Sequence, residues 1–222
     1  MTPPPQLHVF EPPPPPPPPR REDTRARLLR AGVEVLEAGG YASASVAAIA
    51  ERAELATGTL YRHFPSKADL FVELYRTIGD AELAAMQEAA ASTRARTAAE
   101  ELDAVIATFA GRAMSRPRLA WALVYEPLDA AVDAERLRYR RDYARHMASF
   151  IRERVDAGEL PDQDPDTTAA ALIGGIAEAL VSPLSPVAGG NADPDAVIAA
   201  LTDFCRRAVG AEPAAIGRRA EA

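Results

Sequence analysis

The chain predicts an all-α fold, and three observations carry that expectation. Ala, Leu, Glu and Arg dominate a composition that is 48% hydrophobic but only 6% aromatic, and those four residues favour helices. Beyond residue 23, apolar residues recur at i, i+3, i+4 and i+7, the spacing of one helix face. Long runs of β-branched or aromatic residues alternating with polar ones are absent, which leaves strands little support. At 222 residues the chain has room for one domain or two and for a real core.

Composition also bounds the setting. A single cysteine, Cys205, excludes an internal disulfide and fits a reducing compartment, so a cytoplasmic location is expected. The N-terminus lacks the apolar centre of a signal peptide. No run approaches the ~20 apolar residues of a membrane-spanning helix, so no membrane partner is expected. The net charge of −7 is uneven: residues 20–79 carry nine bases and eight acids, and residues 80–222 carry sixteen bases and twenty-three acids. Bulk acidity argues against indiscriminate coating of nucleic acid. It permits one local binding face, because salt screens charges beyond ~8–10 Å.

Residues 1–19 form a proline-rich tail, with prolines at every position from 12 to 19. Such a run is polyproline II or disordered. It reads as a dispensable extension, with a docking ligand for a proline-binding module as the alternative. Arg20 and Arg21 could form an arm reaching the minor groove. Helix formation begins at Thr24, with Leu28, Leu29, Gly32, Val35 and Leu36 on one face, and Gly39-Gly40 should end it. Ser45 is a good N-cap for a second helix carrying Val46, Ile49, Ala50 and Ala53. After the connector 54–56, a short helix is stopped by Pro65. Ser66 and Asp69 then form a capping-box pattern for a longer helix ending near Ala90.

Two short helices joined by a tight turn make a helix-turn-helix, whose second helix enters the DNA major groove. In TGTLYRHFPSK, residues 57–67, the spacing turns Leu60 and Phe64, with Leu55 before them, toward the preceding helices. Thr57, Thr59, Tyr61, Arg62 and His63 are left for other sides, and hydroxyl, imidazole and guanidinium groups suit phosphate or base-edge contacts. Gly58 allows close backbone approach. Lys67 begins the next helix, where free N–H groups and the helix dipole attract phosphate. Together with Ser45 at its cap, these are the expected DNA-binding residues.

The stretch SVAAIAERAELATGTLYRHFPSKADLF, within residues 24–75, resembles the DNA-binding signature of TetR/AcrR-type transcriptional regulators in order, spacing and identity. The resemblance implies that Thr57, Thr59, Tyr61 and His63 lie on the recognition helix and that Tyr61 and Lys67 hold phosphates. Three positions depart from the family pattern. Glu54 stands where the turn usually has glycine, Ala56 where serine usually caps the recognition helix, and Ala44 where threonine often precedes the second helix's cap. If Ala56 leaves the cap empty, Thr57 could take it instead.

The remainder should be a helical bundle. Helices are marked by Leu102–Phe109, by a segment with Trp121 and Tyr125 between breaks at Pro117 and Pro127, and by a long run over residues 133–157. Two more follow, over residues 166–181 and 194–209, separated by a loop at 182–194. The histidines lie far apart in sequence, and no local catalytic, metal or cofactor motif appears. No enzyme activity, metal or cofactor is expected.

The resemblance implies a domain for effector binding and dimerisation. Phe109, Met114, Trp121, Tyr125, Tyr139 and Tyr143 are candidates to line a pocket for a lipophilic ligand. Helix-turn-helix proteins commonly pair on half-sites ~34–36 Å apart. The apolar stripes Ile173, Ile176, Ala177, Leu180 and Val197, Leu201, Phe204 are candidates for a two-fold interface. An intramolecular core is the alternative for the same stripes.

The sequence thus predicts a tail at 1–19, a three-helix DNA-binding domain at 20–80 and a helical bundle at 81–215. The expected function is a homodimeric regulator, a repressor released from palindromic double-stranded DNA by a small molecule. A helical scaffold docking through its proline tail is the rival.

Overall fold

The computed structural model describes residues 23–92, 97–187 and 192–211. The proline tail and the Arg20/Arg21 arm lie outside the described residues. Ten helices account for the secondary structure of the described residues: α1 (Thr24–Ser43), α2 (Val46–Arg52), α3 (Thr57–His63), α4 (Lys67–Ser92), α5 (Ala98–Ser115), α6 (Pro117–Val124), α7 (Ala130–Asp156), α8 (Pro165–Ala179), α9 (Val181–Leu184) and α10 (Pro194–Val209).

Two cores organise them. The first gathers Leu28, Leu36, Ile49, Leu60, Phe64 and Phe71 from α1 to α4 and their connections, closed by Leu119 and Ala122 of α6 and Val132 of α7. The second joins α5, α7, α8, α9 and α10 through Leu102, Ile106, Ile151, Leu172, Leu184, Leu201 and Cys205. The long helix α4 begins in the first core and continues against α5 and α7. The head and the body are therefore joined by a continuous helix as well as by packing of α1 on α6.

Three boundaries differ from the sequence expectation, each for a tertiary reason. Helix α1 does not end at the glycine pair. Gly40 breaks it at φ 73°, ψ −176°, and a last turn carries on to Ser43. The break lets the Glu126 carboxylate sit against Gly40, where a Cβ would lie only 2.4 Å from its Oε1. Helix α7 starts at Ala130, three residues early, with Asp129 at the N-cap position. Asp129 makes no side-chain cap there because its Oδ2 accepts from the Tyr41 hydroxyl at 2.6 Å. Residues 182–184 of the segment expected to be loop belong instead to α9, held by the buried Leu184.

Candidate nucleic-acid interface and effector cavity

The geometry of the head starts from caps and a turn. Ser45 Oγ accepts from Ala48 N at 3.1 Å, so α2 is capped by the side chain its sequence offers. Ile49, Ala50 and Ala53 are buried, setting α2 against its neighbours. The chain then reverses through Glu54, the only non-glycine residue with positive φ (54°) among those described. That left-handed conformation crowds an L side chain, and glycine would hold it without strain. Helix α3 follows with Ala56 at its N-cap and no side-chain cap. Thr57 therefore lies inside the helix, and its hydroxyl is not spent on capping.

One face of α3 is sealed. Leu60 and Phe64 are buried, while Leu55 before the helix is half-buried. Arg25, which sequence reasoning missed, locks the far end. Its guanidinium donates to Glu73 Oε1 at 2.6 Å and to the His63 carbonyl at 3.2 Å, and lies 4.5 Å over the Phe64 ring. It thereby satisfies one of the carbonyls a helix end leaves unpaired. The signal for this was a basic residue ahead of the first apolar stripe, whose target 38 residues away periodicity does not name.

The other face is polar. Thr57, Gly58, Tyr61 and Arg62 are exposed, Tyr61 to 52%, and Thr59 and His63 are half-buried. Arg62 Nη2 donates to Thr59 Oγ1 at 3.1 Å, so the two side chains are pre-arranged together. A Cβ on Gly58 would meet nothing within 4 Å. The expected close backbone approach at Gly58 is therefore not made within the chain, and the open side faces outward. At the start of α4, Asp69 N donates to Ser66 Oγ at 3.1 Å, and the Ser66 hydroxyl donates to Asp69 Oδ2 at 2.7 Å. Lys67 is drawn toward the protein. Its Nζ donates to the Tyr41 carbonyl at 3.3 Å and lies 4.1 Å over the Tyr41 ring.

The body holds a cavity of about 520 Å³ between α4, α5, α6, α7 and α8. Of the six sequence candidates, Phe109, Tyr125, Tyr139 and Tyr143 line it. Met114 and Trp121 do not line it; they pack against the body's core, and Trp121 stacks on Tyr125 with ring centroids 4.8 Å apart. Sequence reasoning missed Leu83, Met86, Val105, Leu123, Met147 and Phe150, which complete the apolar wall. Helical spacing can mark such residues as inward but cannot separate lining a void from filling a core.

Most tyrosine hydroxyls around the cavity are committed. Tyr139 is held by Asp80 Oδ1 at 2.5 Å and the Arg76 carbonyl at 2.9 Å. Tyr75 donates to the Leu123 carbonyl at 3.3 Å, and Tyr125 donates to the Ala177 carbonyl. Burial pushes the Tyr75 and Tyr125 hydroxyls up to about 12, so both stay neutral near pH 7.

The cavity wall reaches the head through the α6–α7 corner. Arg136 Nη1 donates to the Val124 and Glu126 carbonyls, both at 3.1 Å. Glu126 Oε2 in turn accepts from Tyr41 N at 2.6 Å. A second tie joins Arg116 Nε to Glu37 Oε1 at 2.5 Å.

The seven interface candidates separate. Ile176, Leu180 and Leu201 are at most 4% exposed within the protomer's own core, the alternative left open by the sequence. Ile173 and Ala177 border the cavity. Val197 is half-buried against the body's core, and Phe204 is 43% exposed. The Phe204 ring packs over Gly175, where a Cβ would approach it to 3.2 Å, while Gly174 beside it faces open space. Among the described residues, no cluster of three His, Cys, Asp or Glu side chains is placed to hold a metal, and no helix is long and apolar enough to cross a membrane.

Two family descriptions match the chain. Residues 28–74 match the family described as bacterial regulatory proteins, tetR family, and residues 95–209 match the tetracyclin repressor-like C-terminal domain. The HTH-type transcriptional repressor KstR of Mycolicibacterium smegmatis is 48% identical over 50 residues, 22% of this chain and 24% of that protein. KstR of Rhodococcus jostii is 47% identical over 51 residues, 23% of this chain and 24% of that protein. The match thus spans about a quarter of the length of these relatives. The fatty acid degradation regulator FadR of Bacillus halodurans superposes with a TM-score of 0.73 at 17% identity, covering 84% of this chain and 96% of that one. FadR of Bacillus subtilis, solved in complex with stearoyl-CoA, gives 0.71 at 21% identity over 84% of this chain and 98% of that one. At these identities the likeness is one of fold.

Proposed function

The chain belongs to the TetR family of helix-turn-helix transcriptional regulators, and from that premise we propose that it is a homodimeric repressor released from palindromic DNA by a lipophilic small molecule. One observation supports this most directly: α3 has one face sealed by Leu60 and Phe64 and the other open and polar. A helix braced on one side and hydrogen-bonding on the other fits major-groove reading. In this reading Thr57, Thr59, Arg62 and His63 meet bases or phosphates. Tyr61 and Lys67 hold the backbone beside the open Gly58, and Ser45 at the start of α2 meets a flanking phosphate.

The apolar cavity is assigned to the effector, by analogy with the fold neighbour that holds stearoyl-CoA. Pairing is assigned to the outward side of α8 and α10, around Phe204, Val197 and the open Gly174. The Glu126–Tyr41 contact is the proposed link between cavity and head, since Arg136 ties the same corner to the cavity wall.

A gel shift tests this reading, with the purified chain on the intergenic DNA beside its own gene, two salt concentrations and competitor DNA. A specific shift that weakens steeply with salt is expected, because phosphate neutralisation releases counterions. Stearoyl-CoA should then dissociate the complex. A salt-independent or non-specific shift would overturn the repressor reading.

A further inference from the structure

The charged side chains around the cavity can be accounted for one by one. Glu82 is paired with Arg112 at 2.7 Å, and Glu101 with Arg154. Arg116 is paired with Glu37 at 2.5 Å, and Arg136 with Asp133. That leaves Arg140, which lines the cavity, is exposed on its other side, and makes no ion pair among the described residues. Its charge lies close enough to act on the Tyr75 and Tyr125 hydroxyls, favouring their ionised forms.

A second unspent group stands one turn further along α7. Tyr143 packs its ring against Phe109 and Tyr139, with centroids 6.3 and 6.2 Å away. Its hydroxyl makes no hydrogen bond among the described residues, although the side chain lines the cavity. Arg140 and Tyr143 are three residues apart on a helix, so they share a face. Further along the same face, Met147 and Phe150 line the cavity with purely apolar groups. Arg140 to Phe150 spans roughly 15 Å of helix. The wall formed by α7 therefore runs from an uncompensated cation, past a free hydroxyl, to hydrocarbon.

We propose that the effector is an anionic amphiphile, its acid group held by the Arg140 guanidinium with the Tyr143 hydroxyl donating beside it, and its apolar chain lying along α7 toward Met147 and Phe150. This rests on the reading of the cavity as the effector site and names the ligand's chemistry. A carboxylate is ionised near pH 7, accepts from guanidinium and hydroxyl alike, and makes the stronger, charge-assisted kind of hydrogen bond. A neutral ligand of the same length gains the apolar wall but leaves Arg140 uncompensated. The head group also falls on the Arg136 side of the cavity, nearest the corner that touches Tyr41.

Equilibrium dialysis of the full chain against radiolabelled dodecanoate, dodecanol and stearoyl-CoA at neutral pH tests the proposal. Dodecanoate should bind roughly 10-fold more tightly, the value of one hydrogen bond to a charged group at a partly exposed site. Arg140→Gln should abolish that preference while leaving dodecanol affinity unchanged, a control that the variant still folds. Tyr143→Phe should weaken dodecanoate binding a few-fold and leave dodecanol unaffected. Equal binding of acid and alcohol by the unaltered chain overturns the anionic class and leaves the effector cavity standing. Binding of stearoyl-CoA without dodecanoate overturns the carboxylate anchor. If none of the three ligands binds, the cavity reading itself fails, and the proposal with it.

Discussion

The head and the body are built from the same kind of helix but are filled differently. In the head, Leu28, Ile49, Leu60 and Leu70 are fully buried, and Phe64 and Phe71 nearly so. In the body, Phe109, Phe150 and Tyr143 remain half-buried because they border about 520 Å³ of open volume. A closed core is stiff, since packed interiors deform little. That suits a helix which must meet a fixed DNA lattice. An unfilled core has lining groups that lack partners on one side, and a ligand can supply them. The contrast explains why the polar chemistry of the head faces outward while that of the body, at Tyr143 and Arg140, borders the cavity.

The largest expected effect contrasts two phenylalanines. Phe64→Ala should cost about 3–5 kcal/mol in chemical denaturation, because it empties a closed core. Phe150→Ala should cost less than about 2 kcal/mol, because its ring already borders open space. Equal losses would erase the contrast drawn between the two cores.

Next comes the seam. Glu126→Ala leaves the Tyr41 amide without its carboxylate and should cost about 1.5–3 kcal/mol. The variant should also respond less to effector in a DNA-release assay, and an undiminished response would place the coupling elsewhere. On the outward face of α3, Thr59→Ala should lose about 1–3 kcal/mol of operator affinity if its hydroxyl reaches a base edge, whereas Tyr61→Phe should weaken all DNA sequences alike. Footprinting on matched and mismatched sites separates the two.

Two substitutions should improve the head. Ala56→Ser supplies the missing cap of α3 and should add about 1 kcal/mol. Glu54→Gly relieves the left-handed turn at φ 54° and should add about 0.5–1 kcal/mol. Denaturant midpoints report both, and an unchanged midpoint for either would mean that the local strain is already compensated.

The head was legible because its determinants are short-range. Ser45 caps three residues on, Ser66 pairs with Asp69 three residues on, and the Leu60–Phe64 spacing is one helical turn. Such signals lie within a window where sequence distance and spatial distance agree. The irregular turn at Glu54 carries no signal of its own, since glutamate does not favour a positive φ; only the resemblance, which puts glycine at this place, pointed to it.

In the body, periodicity identified inward faces but not what they would meet. Ile176 and Leu201 show the same pattern whether they seal their own core or pair with a second copy, and only their burial separates the two. Trp121 looked like a lining residue and packs on Tyr125 instead. Gly79 gave no signal at all, yet the Tyr139 ring lies where its Cβ would be, at 2.5 Å. The order of helices, their caps and the reading helix follow from neighbours along the chain. The cavity, the Arg140 left without an ion pair among the described residues, and the Glu126–Tyr41 seam are settled by contacts between residues far apart in sequence, 85 positions in the case of Tyr41 and Glu126, because a void and a long-range hydrogen bond exist only once separate helices have been brought together.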